Sequence, residues 1–263
     1  MSITLGQIWL YPIKSLGGVQ VNIATITEAG SLGLDREWIV VDRDDNMVWQ
    51  GDLPRMALTR CSLDDTAITV TAPGLSPLTV AREPGGAPRT ITMYKHEFAA
   101  IDSGDEPAGW LSEALGAPVR LVRIGAGAHR WSGLNPVHAI STASLRALNE
   151  ALLAQGDETV EMERFRPNLV LEGTDEAFLE ERHQSLGFGT ASLNFREPCV
   201  RCELPNISRI DASRGKQPLK LIGALSRKRP TAVPASFGIY GSMTGTAIAV
   251  GTVGVAGRMR AIA

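Results

Sequence analysis

Arg164-Phe165-Arg166-Pro167-Asn168 opens an apolar run, Leu169-Val170-Leu171, that stops at Gly173. Glu197-Pro198-Cys199-Val200-Arg201-Cys202 closes an alternating run through Leu193 and Phe195. Both runs read as strands, the second half-buried with a period of two. If that period persists through the motif, Cys199 and Arg201 share one face while Val200 and Cys202 share the other. The two thiols then diverge and one is the functional candidate, the alternative being two buried apolar cysteines. Arg166 and Asn168 have the same parity on their strand, which aims both side chains into one site. An arginine fork grips phosphate or a planar heterocycle, and an amide reads hydrogen-bonding edges. Taken alone Arg166 reads as an ordinary surface arginine; an arginine, an asparagine and a thiol together on two strands suggest a site that holds an anion and offers sulfur to a soft partner.

Outward from these stretches the chain reads as mainly β with a few helices. Residues 1–100 carry many short strands broken by turns: Val19, Val21 and Ile23 alternate with polar neighbours. Trp38-Ile39-Val40-Val41 is answered across the polar turn Asp42 to Asn46 by Met47-Val48-Trp49, and Ala67 to Ala72 and Leu78 to Ala81 flank Pro73-Gly74. Thr90 to Tyr94 adds a strand. Asp105 caps a helix with Pro107 in its first turn and Gly116 as its stop, followed by a strand over Val119 to Ile124. Gly125-Ala126-Gly127-Ala128 reads as a flexible join, which divides the chain into 1–124 and 125–263. Ser141 or Thr142 caps a second helix with Leu145, Leu148, Leu152 and Leu153 at helical spacing and Gly156 at its end. Lys220 to Pro230 reads as a basic, solvated stretch, and Ala247-Ile248-Ala249-Val250 and Val253-Gly254-Val255 as closing strands.

At 263 residues the chain is long enough for a large core, in one domain or two. A net charge of −2 argues against nucleic acid as a partner, since such proteins carry a basic excess. No apolar run approaches the roughly 18 residues of a membrane span, and the start of the chain lacks the marks of a signal peptide. Three cysteines do not make a disulfide scaffold. Together these features predict a cytoplasmic protein with reduced thiols and no membrane partner.

The count of three also excludes a zinc site of four cysteines. The pair Cys199/Cys202 sits at the end of a strand pattern, where a thioredoxin-like pair would need a helix N-terminus. Glycine-rich segments match neither phosphate-loop nor dinucleotide fingerprints, and no Ser/His/Asp context argues for hydrolysis. Lys14 and Ser15, in the turn after Pro12, and Arg36, in Leu34-Asp35-Arg36-Glu37-Trp38, read singly as solvated charges or turn polar groups. His138 reads as a structural histidine.

Taken in order, Tyr11-Pro12-Ile13-Lys14-Ser15, Leu34-Asp35-Arg36-Glu37-Trp38, Ser103-Gly104-Asp105-Glu106, Ser141-Thr142-Ala143-Ser144-Leu145, Arg164 to Asn168, Cys199 to Cys202 and Phe237-Gly238 resemble the MOSC family in its two-part form. Within it, the chain looks like bacterial relatives of the mitochondrial amidoxime reducing component. The resemblance implies an N-terminal β-barrel module over 1–124 and a MOSC β-barrel-like domain over 125–263. It also implies a molybdenum cofactor (Mo-molybdopterin), with Cys202 as metal ligand and catalytic residue. Lys14, Ser15, Arg36, Arg166 and Asn168 are then suitable cofactor anchors, with Ser141 and Thr142 as weaker ones for which a helix-cap role is at least as good. Soft thiolate suits molybdenum, and nearby positive charge is expected to keep Cys202 deprotonated.

The implied activity is reduction of small N-hydroxylated compounds. Electrons would come from a separate ferredoxin, flavoprotein or cytochrome b5-like protein, because the chain has too few cysteines for an iron–sulfur module. The rival implication is a cofactor or sulfur carrier, since MOSC modules also occur fused to a desulfurase; a decayed binding module is a third. Departures from the family pattern are Trp49 and Gly51 where a Thr-x-Arg is usual, Val200 between the cysteines, and Ser103 in place of a cysteine.

Overall fold

The computed structural model describes residues 3–129, 136–229 and 233–259, and it is mainly β with three α-helices among these residues. Seven strands close into a barrel, numbered here in chain order: β1 (Ile3–Leu10), β2 (Val137–Ser141), β3 (Leu169–Glu172), β4 (Ser185–Phe188), β5 (Ala191–Val200), β6 (Ser236–Thr244) and β7 (Val253–Ala256). The order around the barrel is β3-β2-β6-β5-β4-β7-β1, and β1 returns to pair with β3. Closure satisfies the backbone on every side and leaves no open edge within the ring. Inside it, Leu5, Ile8, Val137, Leu169, Leu186, Leu193 and Ile239 have essentially no exposed surface.

The barrel mixes the two halves of the sequence. β1 runs antiparallel to β3 through Thr4↔Glu172 to Ile8↔Leu169, and meets β7 at Ile3↔Gly254. A second seam joins Ile23–Thr25 to Ala247–Ala249. Only β2 and β3 are parallel, as a crossover requires, and the connection is helix α2 (Thr142–Leu153, with α1 at Asp105–Leu115). Ser141 caps α2 by accepting a hydrogen bond from Ser144 N–H at 3.1 Å. Leu148 and Leu152 of that helix bury against Phe165 and Phe237, outside the barrel wall.

The first half forms a four-stranded sheet (Trp38–Val41, Arg120–Arg123, His96–Asp102, Pro88–Met93) and a three-stranded one (Arg60–Leu63, Ala67–Thr71, Leu78–Ala81). They enclose a core of Ile13, Trp38, Met56, Ile68 and Leu121 together with Leu111 of α1. The two hairpin readings hold here: Ala67–Thr71 pairs with Leu78–Ala81, and Val48 N–H returns to Val40 O at 3.0 Å.

Several local expectations are corrected. Gly104, not Asp105, is the residue before α1, and Asp105 is its first helical residue, while Gly116 ends it in the left-handed region as expected. Gly125–His129 is a 3₁₀ turn in place of a flexible join. Part of the basic stretch from Lys220 is helix α3 (Leu219–Ser226), because Leu221 and Ile222 bury against the α2 side; Pro230 lies outside the described residues. No helix among the described residues is long and apolar enough to cross a membrane.

Candidate functional site

The turn Tyr11 to Gly18 is fastened to Leu34–Trp38 by main-chain bonds. Arg36 N–H reaches Tyr11 O at 2.8 Å, Trp38 N–H reaches Pro12 O at 3.0 Å, and Lys14 N–H reaches Trp38 O at 2.8 Å. Tyr11 N–H in turn donates to the buried Asp35 carboxylate at 2.8 Å. Gly17 is obligatory, since a Cβ there would sit 2.4 Å from Thr59 O. This zipper brings Lys14, Ser15 and Arg36 to the wall of one cavity of about 620 Å³. The second half completes the wall with Arg166, Arg201 and Cys202.

The backbone is strained where it faces this space. Ser15 (φ 70°), Arg36 (φ 58°), Tyr94 (φ 51°) and Arg166 (φ 54°) are all left-handed and all line the cavity. Each such non-glycine residue costs of order 1 kcal/mol or more, and the surrounding hydrogen bonds hold it there.

Arg36 crosses from one half to the other. It pairs with Asp35, donates to Asn168 Oδ1 at 3.2 Å and donates to Arg166 O at 3.2 Å. Its guanidinium and that of Arg166 lie 4.9 Å and 4.2 Å from the centroid of the Tyr11 ring. Arg166 bonds Leu16 O through Nη1, but its Nη2 is buried with no hydrogen-bond partner. Burial and the neighbouring Arg36 charge push the Arg166 guanidinium down to about 10. A cation desolvated beside another cation, with a donor unspent, is arranged for an anion.

Arg201 repeats the pattern: Nη1 donates to Cys199 Sγ at 2.8 Å, Nη2 donates to Phe165 O at 2.9 Å, and Nε is buried without a partner. The residue list read from sequence missed Arg201 as a site residue, although its shared face with Cys199 was a usable signal. The cavity-lining acid is Asp52, whose carboxylate accepts from Trp49 N–H at 3.2 Å.

The three thiols separate cleanly. Cys199 is fully buried, Cys202 is exposed, and Val200 beside the cavity is 57% exposed. The two thiols diverge as expected, although the period of two does not run unbroken: register shifts fall at Phe195/Glu197 and Pro198/Val200, and the strand ends at Val200, before Cys202. Cys61 is held unreactive by burial, which pushes its thiol up to about 12. His138 also touches the cavity; burial, then Arg201, hold its imidazole well below the usual range, so it stays neutral.

Arg166 and Asn168 do not share a strand face. Arg166 terminates the 3₁₀ turn Met162–Phe165, and Asn168 precedes β3. Asn168 is buried behind the wall, where its Nδ2 donates to Trp9 O at 3.1 Å and its Oδ1 accepts from His138 N–H and Arg36. It positions Arg36 and does not line the cavity. Ser141 and Thr142 are also absent from the lining: Ser141 is spent on its cap and on Glu180, and Thr142 Oγ1 contacts Leu171 O at 3.5 Å. Ser141→Ala is therefore expected to lower stability by about 1 kcal/mol and leave bound cofactor per chain unchanged, read by denaturant titration and metal analysis.

No group of three His, Cys, Asp or Glu side chains is placed to hold a metal among the described residues. What the cavity offers is one exposed thiol beside unspent cationic donors. That set fits a metal that arrives with its own sulfur donors and a phosphate, as a molybdenum–pterin group does.

Two family models and several relatives match the chain. The MOSC N-terminal beta barrel domain matches residues 2–118 and the MOSC domain residues 126–255. Mitochondrial amidoxime reducing component 2 of Rattus norvegicus is 30% identical over 232 residues, 78% of this chain and 66% of that protein. Mitochondrial amidoxime-reducing component 1 of Homo sapiens is 29% identical over 253 residues, 86% of this chain and 69% of that protein. Molybdenum cofactor sulfurase of Drosophila melanogaster is 26% identical over 255 residues, 89% of this chain but 31% of that protein. The chain thus spans about two thirds of the length of the first two relatives and under a third of the last. With an N-terminal MOSC β-barrel domain followed by a MOSC domain, and a cavity built from both, the chain belongs to the MOSC family.

Proposed function

We propose that the protein is a molybdenum-cofactor oxidoreductase that reduces N-hydroxylated compounds, hydroxylamines and amidoximes, with electrons from a separate donor protein. The observation that carries this reading is the cavity itself: Arg166 with a buried unspent donor, Arg36 beside it, and the exposed Cys202 thiol on the same wall. Arg36, Arg166, Lys14 and Ser15 would hold the phosphate end, and Cys202 the metal. When bound, the cofactor supplies a two-electron oxo-transfer centre. The net reaction breaks the N–O bond, takes up two electrons and two protons, and releases water with a new N–H bond.

The residues of the chain bind and orient. Asp35 and Asn168 lock Arg36, so little rotamer freedom is left to lose on binding. Neutral His138 adds no positive charge to a wall already rich in arginine. The test is turnover of an amidoxime by holoprotein with a chemical reductant, followed by chromatography of the amidine. Amidine formed by wild type and lost in Cys202→Ala is expected; holoprotein with full molybdenum and no amidine would overturn the reading.

A carrier role rests on the exposure of Cys202. It predicts a labile persulfide on that thiol, seen by mass spectrometry as one added sulfur, and no turnover.

A further inference from the structure

Opposite in character to its arginines, the cavity also has an apolar side made by Met47, Trp49, Tyr94, Val200 and Leu204. Trp49 and Gly51 are coupled by contact. A Cβ on Gly51 would lie 2.3 to 2.6 Å from Cζ2, Cη2 and Cε2 of Trp49, so the indole rests directly on the glycine. Gly51 is not among the residues with positive φ, so it is the ring and not the backbone that demands glycine.

The loop beneath is clamped. Trp49 O accepts from Asp52 N–H at 2.9 Å and Leu53 N–H at 3.0 Å, and Trp49 N–H is bonded to the Asp52 carboxylate. Arg214 ties Gly51 O to Glu203, the residue after Cys202, through a 3.1 Å bond to the carboxylate. The backbone that carries the indole is thus tied to the segment that carries the thiol. At the other end of the wall, Lys14 Nζ lies 5.0 Å from the Tyr94 ring centroid, where the cationic and aromatic sides meet.

We infer that Trp49, seated on Gly51, is a specificity-determining wall that favours flat, ring-bearing N-hydroxylated substrates over aliphatic ones; this rests on the reductase reading above. A fixed indole face rewards a second ring by stacking and by burial of more apolar area than a methyl group offers. The stacking part of this preference alone amounts to about tenfold in affinity.

The experiment measures dissociation constants of benzamidoxime and acetamidoxime for the holoprotein by titration calorimetry, with indole fluorescence quenching as a second readout. The two probes share the reducible group and differ in the ring. Wild type is expected to prefer benzamidoxime about tenfold, and the ratio to fall towards one in Trp49→Ala. Gly51→Ala keeps the tryptophan yet displaces its ring, and gives the same loss; Trp49→Phe restores most of the preference. Equal affinities in wild type, or a tenfold ratio surviving in Trp49→Ala, would overturn the wall. Turnover followed in parallel separates the two readings: a ring preference without amidine counts against the reductase and supports the wall, and amidine with equal affinities counts against the wall alone.

Discussion

Cys202→Ser is expected to cut the molybdenum retained per chain by at least about tenfold, while Cys61→Ser and Cys199→Ser keep most of it. Loss of an outer partner of a metal site already costs about 10–100-fold in affinity, and a direct ligand should cost no less. The controls follow from burial. Cys61 is screened from the cavity chemistry by the same burial that holds its thiol at about 12. Cys199 is fully buried and spends its sulfur on Arg201, a bond that a serine hydroxyl can also accept. The measurement is molybdenum by elemental analysis and pterin by fluorescence, per chain, in protein from a host that makes the cofactor. Equal metal in wild type and Cys202→Ser would sink the assignment and turn attention to Cys199.

Arg36→Met and Arg166→Met should part company in stability although both lose the cofactor. Arg36 is the cation on Asp35, a carboxylate with no exposed surface, and breaking a buried pair costs about 3–5 kcal/mol. At this chain length that is a fall of roughly 10 °C in melting temperature. Arg166 is different: it gives up one bond to Leu16 O and its stack on Tyr11, but it also relieves a buried unspent donor and the repulsion from Arg36. The change should stay within about 1 kcal/mol for cofactor-free protein, the balance expected of a residue kept for binding at the expense of stability. Each variant removes charge-assisted hydrogen bonds worth about 1.5–3 kcal/mol apiece, so pterin retention should drop roughly 10–100-fold in both. If Arg166→Met melts as early as Arg36→Met, Arg166 is a structural cation and the anion site lies elsewhere.

The parts of this site that were legible in sequence are those decided by local geometry. Parity put Cys199 and Cys202 on opposite faces without saying which was buried, and the structure buries Cys199 and exposes Cys202. The turn residues of Ala67–Thr71 and Leu78–Ala81 announced their hairpin. The grouping of Lys14, Ser15, Arg36 and Arg166 was legible only through family resemblance; alone, each resembled a surface polar residue. Their meeting depends on the Tyr11–Asp35 zipper and on Arg36 reaching Arg166 and Asn168 some 130 positions away, and local patterning carries no trace of that. Asn168 misled because the strand starts with the apolar run at Leu169 and does not reach back to Asn168, while Arg166 caps a 3₁₀ turn in the left-handed region, so parity did not apply to either. Helix α3 was hidden by Lys220 and by the Arg227-Lys228-Arg229 that follows it, which mask the apolar contact of Leu221 and Ile222 with the core. Trp49 and Tyr94 read from sequence as strand ends, and the structure sets both outside the strands, on the wall of the cavity.

The return of β1 onto β3 and β7 has a consequence for how the protein is made. Ile3 cannot pair with Gly254 until that residue has left the ribosome, so the first strand of the barrel waits for its last. Before β1 docks it is held only by Val19–Val21, and β3 and β7 each lack the neighbour that seals them. Cutting the chain between residues 124 and 125 would reproduce that state permanently. The second fragment would carry a six-stranded ring with a gap, open to any extended segment that can fill it.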